Sequence, residues 1–274
     1  MVGPRHRPPR AATLADVTTT AAKAAELLRL HTDPELLVVV NVWDAITAKV
    51  VAGVPGTRAL ATASHSIAAA HGYPDGEEIP RDEMIAAVGL IARTVELPVT
   101  ADLEAGYGDP GGTMARAIDV GIVGANLEDQ MKPLAEATAA VAAAVAAGAA
   151  AGVPFVLNAR TDAYLKAGDR DPEEVLADVI ERGRAYLDAG ASSFFVPAKL
   201  DETTVGRLVE ALGERTVNII GIPGSIDLAT AQRLGVARVS YGPWSQNVAL
   251  TALAHLAEDV YAGGGLPAGT RRLN

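Results

Sequence analysis

The chain has 274 residues, 49% hydrophobic but only 4% aromatic, enough apolar material for one large core built from Ala, Val, Leu and Ile. A formal net charge of −10 argues against nucleic acid or an anionic membrane surface as a partner. The absence of cysteine excludes disulfides, thiolate metal sites and a cysteine nucleophile or acid.

Residues 1–12 are rich in Pro and Arg and lack an apolar stretch, so a disordered tail is expected rather than a signal peptide. No apolar run approaches the roughly 20 residues of a membrane span, and the cytoplasm is the expected location. From residue 13 onward, short apolar segments alternate with helical ones. Strands are expected at residues 36–41, 58–64, 99–104, 122–128, 155–160, 192–196, 217–221 and 238–242. Between them the pattern predicts helices at 81–95, 113–120, 134–151, 172–189, 202–211 and 226–234. The Ala-rich run at 135–151 has high helix propensity and reads as one of these helices. Glycines at 121 and 190 each end a helix just before a strand. No linker divides the chain, so residues 13–274 are expected to form one α/β domain, a (β/α)8 TIM-type barrel with a C-terminal helical extension.

Polar residues gather at the C-terminal ends of the predicted strands, where such barrels carry their chemistry. Strand one runs into Trp43 and Asp44. Strand two runs into Ser64, His65 and Ser66, with Asp75 on a Gly/Pro-rich loop beyond. Strand three ends in Asp102 and Glu104, strand four in Glu128, strand five in Arg160 and strand seven in Asn218. On a strand, Asp102 and Glu104 would share a face. Paired carboxylates repel unless a cation lies between them, and their oxygens suit hard ions such as Mg²⁺ or Mn²⁺. Plainer roles stand beside these. Asp44 also suits a helix cap, Asp75 a turn, Trp43 an aromatic wall, and His65 a structural hydrogen bond. Glu128 and Arg160 could simply pair. Lys199, after strand six, is a possible Schiff-base lysine or a solvated one. A non-catalytic barrel that binds a carboxylate also remains open.

Five ordered motifs carry a family resemblance: N-V-W-D-A at residues 41–45, G-Y-P-D-G at 72–76, A-D-L-E-A-G-Y-G at 101–108, N-L-E-D-Q at 126–130 and N-A-R-T-D-A at 158–163. Together they resemble the phosphoenolpyruvate mutase / isocitrate lyase superfamily. The resemblance implies a barrel whose last helix is swapped between subunits, giving dimers that pair into tetramers. It implies Mg²⁺ (or Mn²⁺) held directly by Asp102, with Glu104, Glu128 and Asp75 acting mostly through water. Ser64–Ser66 would offer backbone N–H groups to a substrate carboxylate, and Arg160 would bind the oxyanion side. Candidate catalytic residues are then Arg160, Asp75 and Glu128. Trp43, Asp44, Ser64, His65, Ser66 and Asn218 join Arg160 as candidate substrate contacts. The implied substrate is a small anionic 2-oxo or 2-hydroxy acid, in which a C–C or P–C bond is broken or made through an enolate.

Two departures narrow the chemistry. The lyase branch carries a cysteine loop after the fourth strand, and the mutase branch a longer gating loop with a catalytic Asn. Here Gln130–Leu134 runs almost directly into the next helix and cannot close as a lid. Cleavage of isocitrate or methylisocitrate is therefore not expected. Decarboxylation or lysis of an oxaloacetate-like acid is, with phosphonate P–C chemistry as the alternative.

Overall fold

Strands buried on both faces need helices outside and packed side chains within, and the chain supplies both. The computed structural model describes residues 14–273, so the tail expected at residues 1–12 lies outside the described residues. After α1 (Leu14–Thr32), the chain forms β1 (Leu37–Val39), β2 (Asn41–Val42), α2 (Ala45–Ala52), β3 (Leu60–Thr62), α3 (Ser64–His71), α4 (Arg81–Ala92), β4 (Val99–Asp102) and α5 (Pro110–Asp119). It continues through β5 (Gly124–Glu128), α6 (Leu134–Ala150), β6 (Val156–Arg160), α7 (Pro172–Asp188), β7 (Ser193–Val196) and α8 (Glu202–Leu212). The last elements are β8 (Val217–Ile220), α9 (Leu228–Arg233), β9 (Arg238–Ser240) and α10 (Trp244–Tyr261).

All strand pairs are parallel, in the order β1-β9-β8-β7-β6-β5-β4-β3-β2. The expected first strand is divided at Val40. Its first half pairs with the last strand (Leu37 beside Arg238), and its second half pairs with β3 (Asn41 beside Ala61). The eight expected strands thus appear as nine, and the division closes a TIM-type barrel.

Helix starts follow local chemistry. The side chains of Asp109, Asp171, Asp201 and Asp227 accept backbone N–H bonds at the starts of α5, α7, α8 and α9. Helix α5 begins at Pro110, earlier than the apolar periodicity suggested, because Pro at the first helical position needs no N–H partner. Helix α1 closes the barrel floor: Ala24, Leu27 and Leu30 pack with Leu37, Val39, Ala59, Val123 and Val156. Gly124 makes room for it, since a Cβ there would lie 2.9 Å from Leu27 Cδ2. No described helix is long and apolar enough to cross a membrane. Helix α10 is the exception to the general burial. Only Gln246 is buried along it, while Val248, Leu250, Leu253 and Val260 are exposed in the single chain.

Candidate active site

The strand ends on the face opposite α1 frame a cavity of about 180 Å³. Its polar side is made by Asn41, Ser64, His65, Asp75, Asp102 and Arg160, with Asn126 on β5 between the strands that carry the last two. Asp102 ends β4 and Ser64 opens α3, so the N-terminal turn of α3 faces the acidic strand end. Ser64 donates to Asp102 Oδ2 through its Oγ (3.1 Å) and its N–H (3.4 Å). Ala63, the residue before α3, has no side chain able to cap that turn. Asp75 approaches from its loop, with Oδ2 3.5 Å from His65 Nδ1 and Oδ1 3.5 Å from Ser64 Oγ.

Glu104 arrives differently from the sequence expectation. Strand β4 ends at Asp102, and Glu104 lies beyond it with a left-handed backbone (φ 53°), so strand alternation does not set its direction. A clasp sets it instead: the Glu77 N–H donates to the Glu104 carboxylate, and the Tyr107 N–H donates to Glu77 Oε1 at 2.5 Å. Glu77 and Tyr107 are also left-handed, at φ 65° and 55°. Three non-glycine residues in this region mark backbone held against its preference beside the cavity.

Arg160 ends β6 in register with Glu128 at the end of β5. Its Nη1 lies 3.1 Å from Glu128 Oε2, and its Nε donates to Asp162 Oδ1 at 2.8 Å. Behind this pair, buried Asp129 accepts from Thr161 Oγ1 (2.7 Å), Tyr186 Oη (2.9 Å), Arg182 Nη1 (3.1 Å) and the backbone N–H groups of Met131 and Asp162. That network fixes the turn at residues 129–133, the whole connection from β5 to α6, and no lid extends from it.

The electrostatics are lopsided. Burial raises the pKa of Asp102, with Arg160 opposing and Asp75 reinforcing. Burial, followed by the charges of Asp102 and Asp75, pushes Glu104 up to about 8. Burial likewise lifts Glu128 to about 7 despite the Arg160 charge beside it. Burial works against the Arg160 charge, but Glu128, Asp102 and Asp162 outweigh it and hold that guanidinium protonated. Asp75, Asp102, Glu104, Glu128 and Asp162 therefore share a field that Arg160 does not neutralise. Among the described residues, no three Asp, Glu or His side chains are grouped to hold a metal ion by themselves. An all-oxygen set with excess negative charge fits a hard divalent ion held directly by one carboxylate and otherwise through water, not a closed protein cage.

Other residues singled out in the sequence sit elsewhere. Trp43 lines a separate, apolar groove of about 470 Å³ between α2 and α10. Asp44 caps α2, accepting from the Thr47 N–H at 2.8 Å. Ser66 is buried in α3, and its carbonyl accepts from Gln246 Nε2. Asn218 is fully buried within the barrel, its amide without a partner among the described residues. Lys199 lines a different hollow with Tyr164, Asp201 and Ser225. Sequence reasoning passed over Asn126 and Asp162, although both belong to motifs it singled out, and over the apolar residues of the cavity.

Known proteins share this arrangement of strands. The family model for phosphoenolpyruvate phosphomutase matches residues 27–261. The chain belongs to the phosphoenolpyruvate mutase / isocitrate lyase superfamily. One solved relative is a provisionally assigned phosphonomutase from Burkholderia cenocepacia J2315, 39% identical, with a TM-score of 0.82 over 89% of this chain and 100% of that one. The 2,3-dimethylmalate lyase of Eubacterium barkeri is 29% identical over 86% of this chain and 84% of its own. An oxaloacetate acetylhydrolase solved with its product oxalate is 25% identical, with a TM-score of 0.81 over 93% and 92% of the two chains. The superfamily includes lyases and mutases, and the cavity of this chain lies where strand ends and loop residues meet.

Proposed function

We propose that this chain is a divalent-metal-dependent lyase or decarboxylase acting on a C–C bond of a small 2-oxo or 2-hydroxy acid. The observation that carries this reading is the convergence of Asp75, Asp102, Arg160 and the N-terminal turn of α3 on one small cavity. Asp102 would hold the ion, with Glu104, Glu128 and Asp75 acting through water. Mg²⁺ or Mn²⁺ so held would supply positive charge where negative charge builds up on the substrate's 2-oxo oxygen. The α3 backbone N–H groups orient the substrate carboxylate. Arg160, held by Glu128 and Asp162, presents its remaining N–H groups to the developing oxyanion.

In decarboxylation of an oxaloacetate-like acid, the bond from carbon 3 to the departing carboxylate breaks. CO₂ leaves, the electron pair moves into an enolate, and water entering the open mouth returns a proton to carbon 3. The short turn at 129–133 supports a reaction that needs no lid-borne acid. The relatives named for dimethylmalate and oxaloacetate chemistry support a small oxo- or hydroxy-acid substrate. The superfamily match and the phosphonomutase-like structure favour a second reading, P–C bond chemistry on a phosphonopyruvate-like acid.

Turnover of a panel (oxaloacetate, phosphonopyruvate, methylated malates, isocitrate, methylisocitrate), with Mg²⁺ and with chelator, tests both. Mg²⁺-dependent release of a 2-oxo acid from the C–C substrates is expected, with no cleavage of either tricarboxylate. Release of phosphate, or isomerisation of phosphonopyruvate, in place of C–C cleavage would establish the second reading. Robust cleavage of isocitrate or methylisocitrate would overturn the restriction to small substrates that need no lid-borne acid.

A further inference from the structure

The cavity has two unlike sides. Across from the acidic strand ends, it is walled by Leu165, Phe195, Pro197 and Ile220. Phe195 stands beside Arg160 in the β6–β7 register, Pro197 follows β7 at once, and Ile220 ends β8. Leu165, on the connection from β6 to α7, forms the lip and is 51% exposed. Among the described residues, no Lys or Arg other than Arg160 lines the cavity, and Arg160 is already engaged by Glu128 and Asp162. Lys199, which follows β7, lines another hollow.

A carboxylate pressed against this wall would lose its hydration and find no cation, only the Ser240 hydroxyl on the neighbouring strand, whereas an alkyl group would gain by leaving water. We propose that the wall formed by Leu165, Phe195, Pro197 and Ile220 is a pocket for a short alkyl substituent on carbon 3 of the substrate, and that it selects against a third carboxylate there. The inference rests on the reading of this cavity as the substrate site of a small oxo or hydroxy acid. It adds the substrate's apolar end, which the metal-facing side does not specify.

Each CH₂ group taken from water against such a wall strengthens binding by about fourfold. Calorimetry with the Mg²⁺-loaded protein should therefore rank 3-ethylmalate above 3-methylmalate and malate, with citrate weakest. Leu165→Arg places a cation at the half-exposed lip with little demand on the fold. It should cancel the alkyl preference and improve citrate binding by roughly tenfold, while the melting temperature stays within a few degrees of wild type. Phe195→Ser serves as a second variant, expected to lower the alkyl preference without improving citrate binding. Equal affinities across the malate series in wild type, or an unchanged ranking in both variants, would overturn the alkyl pocket. Arg160→Gln keeps the two readings apart. If it leaves malate binding intact, the cavity is not the substrate site; if it abolishes binding while wild type shows no alkyl preference, only the pocket falls.

Discussion

Glu128 and Asp129 are adjacent in the chain, yet they live in opposite electrostatic worlds. Asp129 turns into the frame behind the cavity, where Thr161, Tyr186, Arg182 and two backbone N–H groups satisfy it. Glu128 turns towards the mouth, where its partner Arg160 is shared with Asp162, and burial lifts its pKa to about 7. Asp102 and Glu104 resemble Glu128 in this, with few donors and raised pKa values. The difference separates two uses of a buried carboxylate. A group surrounded by donors holds the fold together, while groups left short of positive charge retain a demand that a ligand can meet.

The largest test of that contrast is Asp102→Ala. Loss of the proposed direct ligand should abolish measurable Mg²⁺ binding in calorimetry and reduce turnover by at least on the order of a hundredfold. The metal-free melting temperature should stay level or rise, because a repelling carboxylate has gone. Unchanged Mg²⁺ affinity would remove Asp102 from the metal role. Asp129→Ala should do the reverse. Breaking its buried ion pair with Arg182 should cost about 3 kcal/mol in denaturant unfolding. A stability loss below about 0.5 kcal/mol would mean that the frame does not depend on it.

The contrast extends to the apolar surface, with a satisfied barrel and an uncovered α10. Val248 and Leu253, 71% and 60% exposed in the single chain, should be covered by another copy. Sedimentation at micromolar concentration should give a dimer or tetramer for wild type and a smaller species for Val248→Asp combined with Leu253→Asp. A wild-type monomer would contradict this assembly.

The smallest effect concerns the floor. Burial, and then the charge of Arg238, lowers the pKa of His31 to about 4, and its Nε2 has no partner among the described residues. The unfolded chain therefore takes up this proton first, near pH 6.5. The stability from keeping His31 neutral is complete above that pH and declines as the pH falls towards 4. Melting temperatures across this window should fall more steeply for wild type than for His31→Gln. Parallel curves would show that His31 does not carry the dependence.

Much of this was legible in the sequence because apolar segments and turn residues recur at the βα spacing. The division of the first strand at Val40 was not, since it depends on two partners far away in the chain, β9 and β3. Asp102, Ser64, His65 and Arg160 were legible because a position at or just after a strand end brings them to one face of a barrel, whereas Asp75 lies on a loop and was legible only through its motif. The alternation rule failed at Glu104, where a left-handed turn replaces the strand and the clasp to Glu77 aims the carboxylate. The pairing of Asp44 with Thr47 is a local capping signature, readable as such from the spacing. The Asp129 frame and the apolar wall were hidden for a shared reason. Phe195 and Ile220 look like any core residue of a strand, and only register shows which of them borders the cavity.

The divided first strand also sets an order of events during synthesis. Leu37 finds its partner Arg238 only after some two hundred further residues have been made, so β1 keeps an open edge for most of that time. The mouth waits on the same moment, because Asn41 Oδ1 accepts from the N–H groups of Tyr241 and Gly242, and Ser245 Oγ donates to the Asn41 carbonyl. A chain stopped short of these residues would carry almost every acidic group of the site with no enclosure to hold them. Closing the ring and completing the cavity are one step, taken once β9 and the residues just after it have been made.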